Sequence, residues 1–157
     1  MSLEAFLKAR VDFAFGAKFI LDHGRYWPFL PLPKSIKPGP ERECYRNAAL
    51  LALGDPRFTY VEGYAAYTVP LLHAWCVDDA GNVLDVTWRS REGTPEYFGV
   101  PFRRSYLEKR RRGDALIDCA PEFELLHGLY PKADWYETRF DNLEGARVDV
   151  EFDKDEA

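Results

Sequence analysis

The sequence has 157 residues, of which 46% are hydrophobic and 15% aromatic, so it is long and apolar enough to bury the core of one ordinary domain. Its three cysteines are widely spaced and include no CxxC pair, which argues against a disulfide framework or a zinc site and favours free thiols in a reducing compartment. Charged residues interrupt the N-terminal apolar runs, and no stretch is long enough to cross a bilayer. We therefore expect a cytoplasmic protein without a signal peptide or a membrane partner.

The net charge of −5 comes from one end of the chain. Seven acidic and two basic residues between positions 141 and 157 account for all of it, and the preceding residues balance to zero. This balance argues against nucleic acid as a partner, because nucleic-acid binding requires a basic field. We expect one domain over 1–140, followed by an acidic tail over 141–157 that is frayed or loosely docked.

The N-terminal region predicts a helix followed by a stiff loop. Apolar residues recur at spacings of three and four over 2–22, with Ser2 available as the cap and Gly24 as the stop. Five prolines then lie between Tyr26 and Glu41, where each fixes its own backbone and disfavours helix before it. Long ordered loops of this kind often border functional sites.

The middle of the chain predicts a short helix and an antiparallel sheet. The helix covers 42–53, and three strand-like runs follow at 58–68, 71–78 and 82–88. The turn signal at 78–82 joins the last two runs into a hairpin. Later elements are expected to be a strand over 97–102, helices over 103–112 and 121–128, and a strand in which Val148, Val150 and Phe152 alternate.

Cys44 lies in the first turn of the helix over 42–53. At a helix start the unpaired backbone N–H groups and the helix dipole favour negative charge, and hence a thiolate. The Cys44 backbone N–H is also placed to help bind an oxyanion. The alternative is that Cys44 is a small buried apolar residue, as most free cysteines are.

The hairpin places His73 opposite or diagonal to Asp85 on one face of the sheet. A carboxylate there accepts the imidazole N–H, fixes the tautomer and stabilises the imidazolium. A purely structural His–Asp pair remains the alternative. Cys76 alternates to the face opposite His73 and is expected in the core, and Cys119 has no basic neighbour or clear helix start before it.

The order of these motifs resembles the transglutaminase-like superfamily of papain-like cysteine enzymes. The resemblance covers Cys44 with Ala48 and Leu51 on the helix, and three further blocks at Tyr60–Tyr64, His73–Trp75 and Leu84–Trp88. It implies an α+β fold with N-terminal helices, in which the nucleophile helix packs on an antiparallel sheet and the catalytic core spans about 40–102.

What the resemblance implies is thiol acyl chemistry through a triad of Cys44, His73 and Asp85. Cys44 would attack the carbonyl of a protein, peptide or small amide substrate, and the thioester would pass to water or to an amine. No metal or organic cofactor is required. The family also contains members that act as binding or structural subunits, and a loop over 25–41 that covers Cys44 would favour that alternative.

Several residues are candidates for contacting substrate or oxyanion. The glutamine that donates to the oxyanion in papain-type enzymes has no counterpart over 38–41. The resemblance therefore leaves the second oxyanion donor unassigned, and Trp27 and Tyr26 are the candidates for it. Trp75 belongs to the His73 motif. Glu62 is expected either to line the cleft or to pair with an arginine such as Arg46.

Two further candidates have equally plain structural explanations. Asn47 lies one turn after Cys44. We expect it either to hydrogen-bond to a neighbouring loop or to the substrate, or to be an exposed helical residue. Tyr97 opens the aromatic run over 97–102, which walls the cleft or packs in the core. The basic run over 103–112 indicates an acidic or phosphate-bearing partner or a solvated helix face.

Overall fold

The computed structural model describes residues 2–89, 91–110, 113–118 and 123–143. Within these ranges the chain is an α+β fold with five antiparallel strands: β1 (Arg25–Tyr26), β2 (Thr59–Ala66), β3 (Leu71–Val77), β4 (Val83–Leu84) and β5 (Glu96–Phe102). The α-helices are α1 (Leu3–Lys8), α2 (Phe15–His23), α3 (Cys44–Gly54), α4 (Arg104–Glu108) and α5 (Lys132–Trp135), and a 3-10 helix covers Glu124–His127. No helix in these ranges has both the length and the apolar character needed to cross a bilayer.

The strands form one sheet in the order β1-β5-β2-β3-β4. Every residue of β2 is buried, because β2 lies at the centre of the sheet and both of its faces are covered. The short strand β4 pairs only with Cys76 and Val77 at the end of β3. The first half of β3, which carries His73, therefore lies at an edge of the sheet.

The two faces of the sheet pack against different parts of the chain. Helices α1, α2, α3 and α4 contact one face, which carries Ala74 and Cys76. The other face carries Trp75 and His73, and its apolar cluster includes Trp27 and Phe140. This alternation confirms that Cys76 points away from His73.

Helix α3 lies close to the sheet because small residues face it. Ala48, Ala49 and Ala52 are all buried, and the Cys76 thiol donates to the carbonyl of Ala48 at 3.1 Å. With small side chains at this contact, the helix and β3 lie close enough for a strand side chain to bond to the helix backbone. This contact fixes the height of α3 above the sheet.

The predicted N-terminal helix over 2–22 is wrong as a single element, because α1 and α2 are separated by residues 9–14. At 100° per residue, a continuous helix would point Leu3 and Leu7 away from Phe19 and Ile20. All four side chains are at most 1% exposed. The break at 9–14 lets both pairs face the core, while Ser2 caps α1 as expected, its Oγ accepting from Ala5 N.

The strand expected over 97–102 is confirmed as β5, but three other later elements are shorter than the sequence predicts. The strand expected over 82–88 ends at Leu84, because the Asp85 carboxylate accepts the backbone N–H groups of Thr87 and Trp88 and turns the chain out of the sheet. The helix expected over 103–112 covers only Arg104–Glu108, and that over 121–128 is the 3-10 helix Glu124–His127. The strand expected at Val148, Val150 and Phe152, together with Pro121 and Cys119, lies outside the described residues.

Gly63 allows the central strands to approach each other. A Cβ atom there would lie 2.2 Å from the Phe98 carbonyl oxygen and 2.5 Å from Gly99 Cα, both backbone atoms of β5. We expect Gly63→Ala to lower the free energy of unfolding by roughly 1–3 kcal/mol, because backbone cannot yield as a side chain does. Urea denaturation followed by tryptophan fluorescence measures this change.

Gly54→Ala is the matched control, because a Cβ atom at Gly54 meets nothing within 4 Å. We expect it to change the free energy of unfolding by about 0.5 kcal/mol or less. Equal effects of the two substitutions would contradict the close approach at Gly63.

Candidate active site

His73 and Asp85 form a buried hydrogen-bonded pair. His73 Nε2 donates to Asp85 Oδ2 at 2.8 Å, and the two residues are 2% and 7% exposed. The hairpin register pairs Cys76 with Leu84, which sets His73 diagonal to Asp85 just beyond the end of β4. The contact expected from the hairpin is therefore present.

Four donors converge on the Asp85 carboxylate. Oδ2 also accepts from the Tyr97 hydroxyl at 2.8 Å, and Oδ1 accepts from the backbone N–H groups of Thr87 and Trp88 at 2.9 Å each. Burial opposes ionisation, but the His73 bond and the backbone donors lower the pKa of Asp85 below its usual range. The carboxylate is held ionised and in one orientation.

Cys44 meets the other side of the His73 ring. It is the first residue of α3, is partly exposed, lines the same cleft as His73, and lies close enough to raise the pKa of the imidazole. Because Nε2 is bonded to Asp85, Nδ1 is the ring nitrogen left to interact with the sulfur. Burial lowers the pKa of His73, but the interactions with Asp85 and Cys44 outweigh it and raise that pKa to about 9.

Aromatic rings fix the plane of the imidazole. Trp88 stacks on His73 with ring centroids 4.3 Å apart and 28° between the planes. Trp75 is fully buried, with its ring 6.1 Å from the His73 centroid on the same face of the sheet. Trp75, a candidate for substrate contact, thus packs beside the imidazole in the core, whereas Trp88 lines the cleft.

Asn47 joins the loop before Cys44 to the segment after Asp85. Its Nδ2 donates to the Pro40 carbonyl at 2.8 Å and to Thr87 Oγ1 at 2.9 Å. Gly39 N donates to the Val86 carbonyl at 2.8 Å, which adds a backbone bond between the same two segments. Of the roles considered for Asn47, the structure places it in contact with a neighbouring loop.

A cleft of about 490 Å³ opens over the sulfur and the imidazole. Its lining includes Arg42, Cys44, Leu72, His73, Trp88 and Arg89. Of the loop over 25–41, only Glu41 reaches this lining. The loop therefore borders the cleft at its end and leaves Cys44 partly exposed.

Trp27 and Tyr26 lie away from the cleft, in contrast to the oxyanion role suggested for them. The Trp27 indole donates to the Gly99 carbonyl at 3.0 Å and packs against Phe140. The Tyr26 hydroxyl accepts from the backbone N–H of Glu4 at 3.0 Å. Both polar groups are already used inside the fold.

Tyr97 and Glu62 are buried in the core. Tyr97 acts on the site through its bond to Asp85, as a positioning residue. Glu62 meets neither expectation, since it lies on the helix-covered face with Ala74 and neither lines the cleft nor pairs with Arg46. Its carboxylate accepts instead from the Tyr60 hydroxyl at 2.7 Å and from the N–H groups of Leu116 and Ile117 at 2.8 Å.

Thr87, Trp88 and Arg42 are site residues that sequence reasoning did not single out. Trp88 and Thr87 lie within the motif that carries Asp85, so their place in the sequence indicated a position near the site. Arg42 has no such signal, because it lies in no motif of the sequence; it lines the cleft with a left-handed backbone, at a φ of 66°. Among the described residues, no group of three or more His, Cys, Asp or Glu side chains could hold a metal.

The bonds of Asn47 predict a measurable contribution to stability. We expect Asn47→Ala to lower the free energy of unfolding by about 1–3 kcal/mol, because it leaves the buried Thr87 hydroxyl and the Pro40 carbonyl without this donor. Urea denaturation measures the loss. Thr87→Val, which leaves the bond to Pro40 intact, should cost less, and a larger loss in Thr87→Val would contradict this account.

Glu62 predicts a pH-dependent stability. Burial raises the pKa of Glu62 from 4.5 to about 7, although the bonds from Tyr60, Leu116 and Ile117 oppose the shift. Between pH 4.5 and 7 the unfolded chain releases this proton while the folded chain retains it, so stability falls as pH rises through that window. We expect a loss of up to about 3 kcal/mol.

Urea denaturation at pH 5, 6, 7 and 8 tests this sign. Glu62→Gln should reduce the decrease in the free energy of unfolding between pH 5 and pH 8. This holds even if the substitution changes the free energy of unfolding at every pH. Glu96→Gln, at an exposed position of β5, should leave the slope unchanged. An identical slope in the native chain and Glu62→Gln would refute the assignment to Glu62.

Comparisons of the chain with protein-family models, with curated proteins and with solved structures found no match. The contacts among Cys44, His73 and Asp85 are therefore the basis for a function of this cleft.

Proposed function

We propose that the chain catalyses cysteine-dependent amide chemistry through a thioester acyl-enzyme, with Cys44 as nucleophile, His73 as acid and base, and Asp85 as the group that orients His73. One observation carries the proposal. The buried His73 ring is bonded to a carboxylate and has beside it a partly exposed thiol that lines the same open cleft. A structural His–Asp pair alone needs neither the thiol nor the cleft.

Acylation begins at the Cys44 sulfur. With its pKa near 9, His73 is an imidazolium at neutral pH, and its positive charge stabilises a thiolate beside it. The thiolate attacks the carbonyl carbon of the amide to form a tetrahedral intermediate. His73 Nδ1 then gives its proton to the amide nitrogen, the C–N bond breaks, and the amine leaves a thioester on Cys44.

Deacylation uses the same groups in the reverse order. Neutral His73 accepts a proton from an incoming water or amine, which attacks the thioester carbonyl. The C–S bond breaks and the thiolate–imidazolium pair is restored. Water yields an acid by hydrolysis or deamidation, and an amine yields a new amide.

The start of α3 supplies one donor for the oxyanion. As the first residue of the helix, Cys44 has a backbone N–H without an acceptor inside that helix. The helix dipole adds positive potential at the same point. Both favour the negative charge that develops on the carbonyl oxygen.

The fold is proposed to be papain-like, of the transglutaminase-like type. Two features support this proposal: α3 begins with the nucleophile and contacts β3, and β3 carries the imidazole. The alternative of a catalytically silent binding subunit predicts a covered thiol. The partial exposure of Cys44 and the position of the loop over 25–41 favour the enzyme instead.

The proposal predicts selective reactivity of Cys44. At neutral pH iodoacetamide should alkylate Cys44 well before Cys76, because Cys76 is fully buried and burial raises the pKa of its thiol. His73→Gln should slow alkylation of Cys44 at pH 6 by about tenfold or more, since it removes the charge beside the sulfur. Peptide mapping by mass spectrometry measures both rates.

A simple ester separates catalysis from mere reactivity. With p-nitrophenyl acetate, we expect a burst of nitrophenolate and an acetyl group on Cys44, followed by turnover. Cys44→Ala should fold normally and abolish the burst, whereas Cys76→Ala should keep it. A folded chain whose Cys44 is inert to iodoacetamide, but reacts once denatured, would rule out the proposed function.

A further inference from the structure

The cleft over Cys44 carries an excess of positive charge. Arg42, Arg89 and Arg91 line it, and Glu41 is the acidic residue in its lining. The net charge contributed by these side chains is +2, in a chain whose overall charge is −5. Positive charge is thus concentrated where the proposed substrate binds.

Arg89 is held in place by backbone carbonyls. Its Nη1 donates to the Thr87 carbonyl and its Nη2 to the Gly39 carbonyl, each at 2.9 Å. Its contact with the exposed Glu41 is long, at 3.9 Å between Nε and Oε1. The guanidinium is therefore fixed at the rim of the cleft without strong neutralisation of its charge.

Arg91 lies at the end of a column of aromatic rings. Its guanidinium lies 5.9 Å from the Tyr67 ring centroid, and Tyr67 stacks on Trp88 with centroids 5.7 Å apart. Trp88 in turn stacks on His73. This column places a cation on the same wall as the catalytic imidazole.

Arg42 also lines the cleft and lies two residues before Cys44. Within the described part of the chain, neither Arg42 nor Arg91 makes a hydrogen bond or an ion pair. Other arginines there do find carboxylates: the pairs are Arg25–Asp141, Arg57–Asp55, Arg104–Glu108, Arg110–Glu124 and Arg139–Asp79. Arg42 and Arg91 are therefore able to bind an anion from outside.

Apolar surface lies beside these cations. Leu71 and Leu72 line the same cleft and are 53% and 44% exposed. A carboxylate at the end of a short aliphatic chain fits both the apolar surface and the cations. Its methylene groups cover the leucines, and its two oxygens accept hydrogen bonds from a guanidinium group. A compact inorganic anion would satisfy only the charge.

We propose that the cleft selects acyl groups that carry a carboxylate a few bonds from the scissile carbonyl. This inference rests on the proposed function and specifies its substrate class. Arg42 and Arg91 are the residues that determine the preference. An acidic side chain in a peptide and the monoamide of a small dicarboxylic acid share this chemistry.

Paired alkylating reagents test the preference without knowledge of the substrate. Iodoacetate and iodoacetamide react alike: the sulfur attacks the CH₂ carbon, an S–C bond forms, and iodide leaves. They differ only in that iodoacetate carries a carboxylate where iodoacetamide carries an amide. The quantity to measure is the ratio of the iodoacetate rate to the iodoacetamide rate for Cys44 in the intact chain. The same ratio for glutathione is the reference.

We expect the ratio for Cys44 to exceed that for glutathione by about threefold or more at low salt, and to fall as salt screens the arginines. The His73 imidazolium also favours iodoacetate, so the decisive readout is the change on substitution. Arg42→Gln, Arg91→Gln and the double variant should lower the ratio stepwise, where each variant's iodoacetate rate is divided by its own iodoacetamide rate. Arg57→Gln, at an exposed position away from the cleft, is the control and should leave the ratio unchanged.

The outcomes separate this inference from the proposed function. If Cys44 resists both reagents, the proposed function fails. If Cys44 reacts rapidly with iodoacetamide but the double variant keeps the native ratio, the function stands and the carboxylate preference is wrong.

A protection experiment identifies the anion. Glutarate or a glutamyl dipeptide should slow alkylation of Cys44 by iodoacetamide in the native chain and lose this effect in the double variant. The better protector of the two distinguishes a small diacid from a peptide. Protection by inorganic phosphate alone would overturn the preference for carboxylates.

Discussion

The buried bond between His73 and Asp85 is the interaction on which the site depends. An ionised carboxylate inside a protein is costly unless donors compensate for the lost water, and here Tyr97, the imidazole and two backbone N–H groups do so. The same backbone donors end β4 and turn the chain toward Trp88. One carboxylate therefore closes the hairpin, orients the ring and directs the next segment over it. At this position a single side chain serves both the local fold and the site.

The thiol comes from a different part of the chain, so its distance from the imidazole depends on how two segments are joined. Asn47 and Gly39 supply that junction through bonds to Thr87 and Val86. Neither of these bonds involves the sulfur or the ring. The cleft is thus preorganised by contacts made before any substrate enters, which is the condition under which fixed charges favour a transition state most strongly.

Much of this arrangement was predictable from local patterns. The turn at 78–82 and the alternation of the flanking strands set the register of His73 against Asp85, and the apolar face after Cys44 indicated the helix. Features set by distant packing were not predictable. The break between α1 and α2 depends on the core that both helices cover, and the backbone N–H groups that bind Glu62 lie more than fifty residues away. Trp27 and Tyr26 looked available only because their partners on β5 and α1 were not evident from the sequence.

The three buried alanines of α3 have a consequence for how this protein tolerates change. Because small side chains separate the helix from β3 at this contact, the position of the Cys44 sulfur depends on them. A bulkier residue at Ala48 would push the helix away from the sheet and separate Cys44 from the His73 ring, although Cys44, His73 and Asp85 would all still be present. Related chains could therefore lose the proposed chemistry through a change in apolar packing alone.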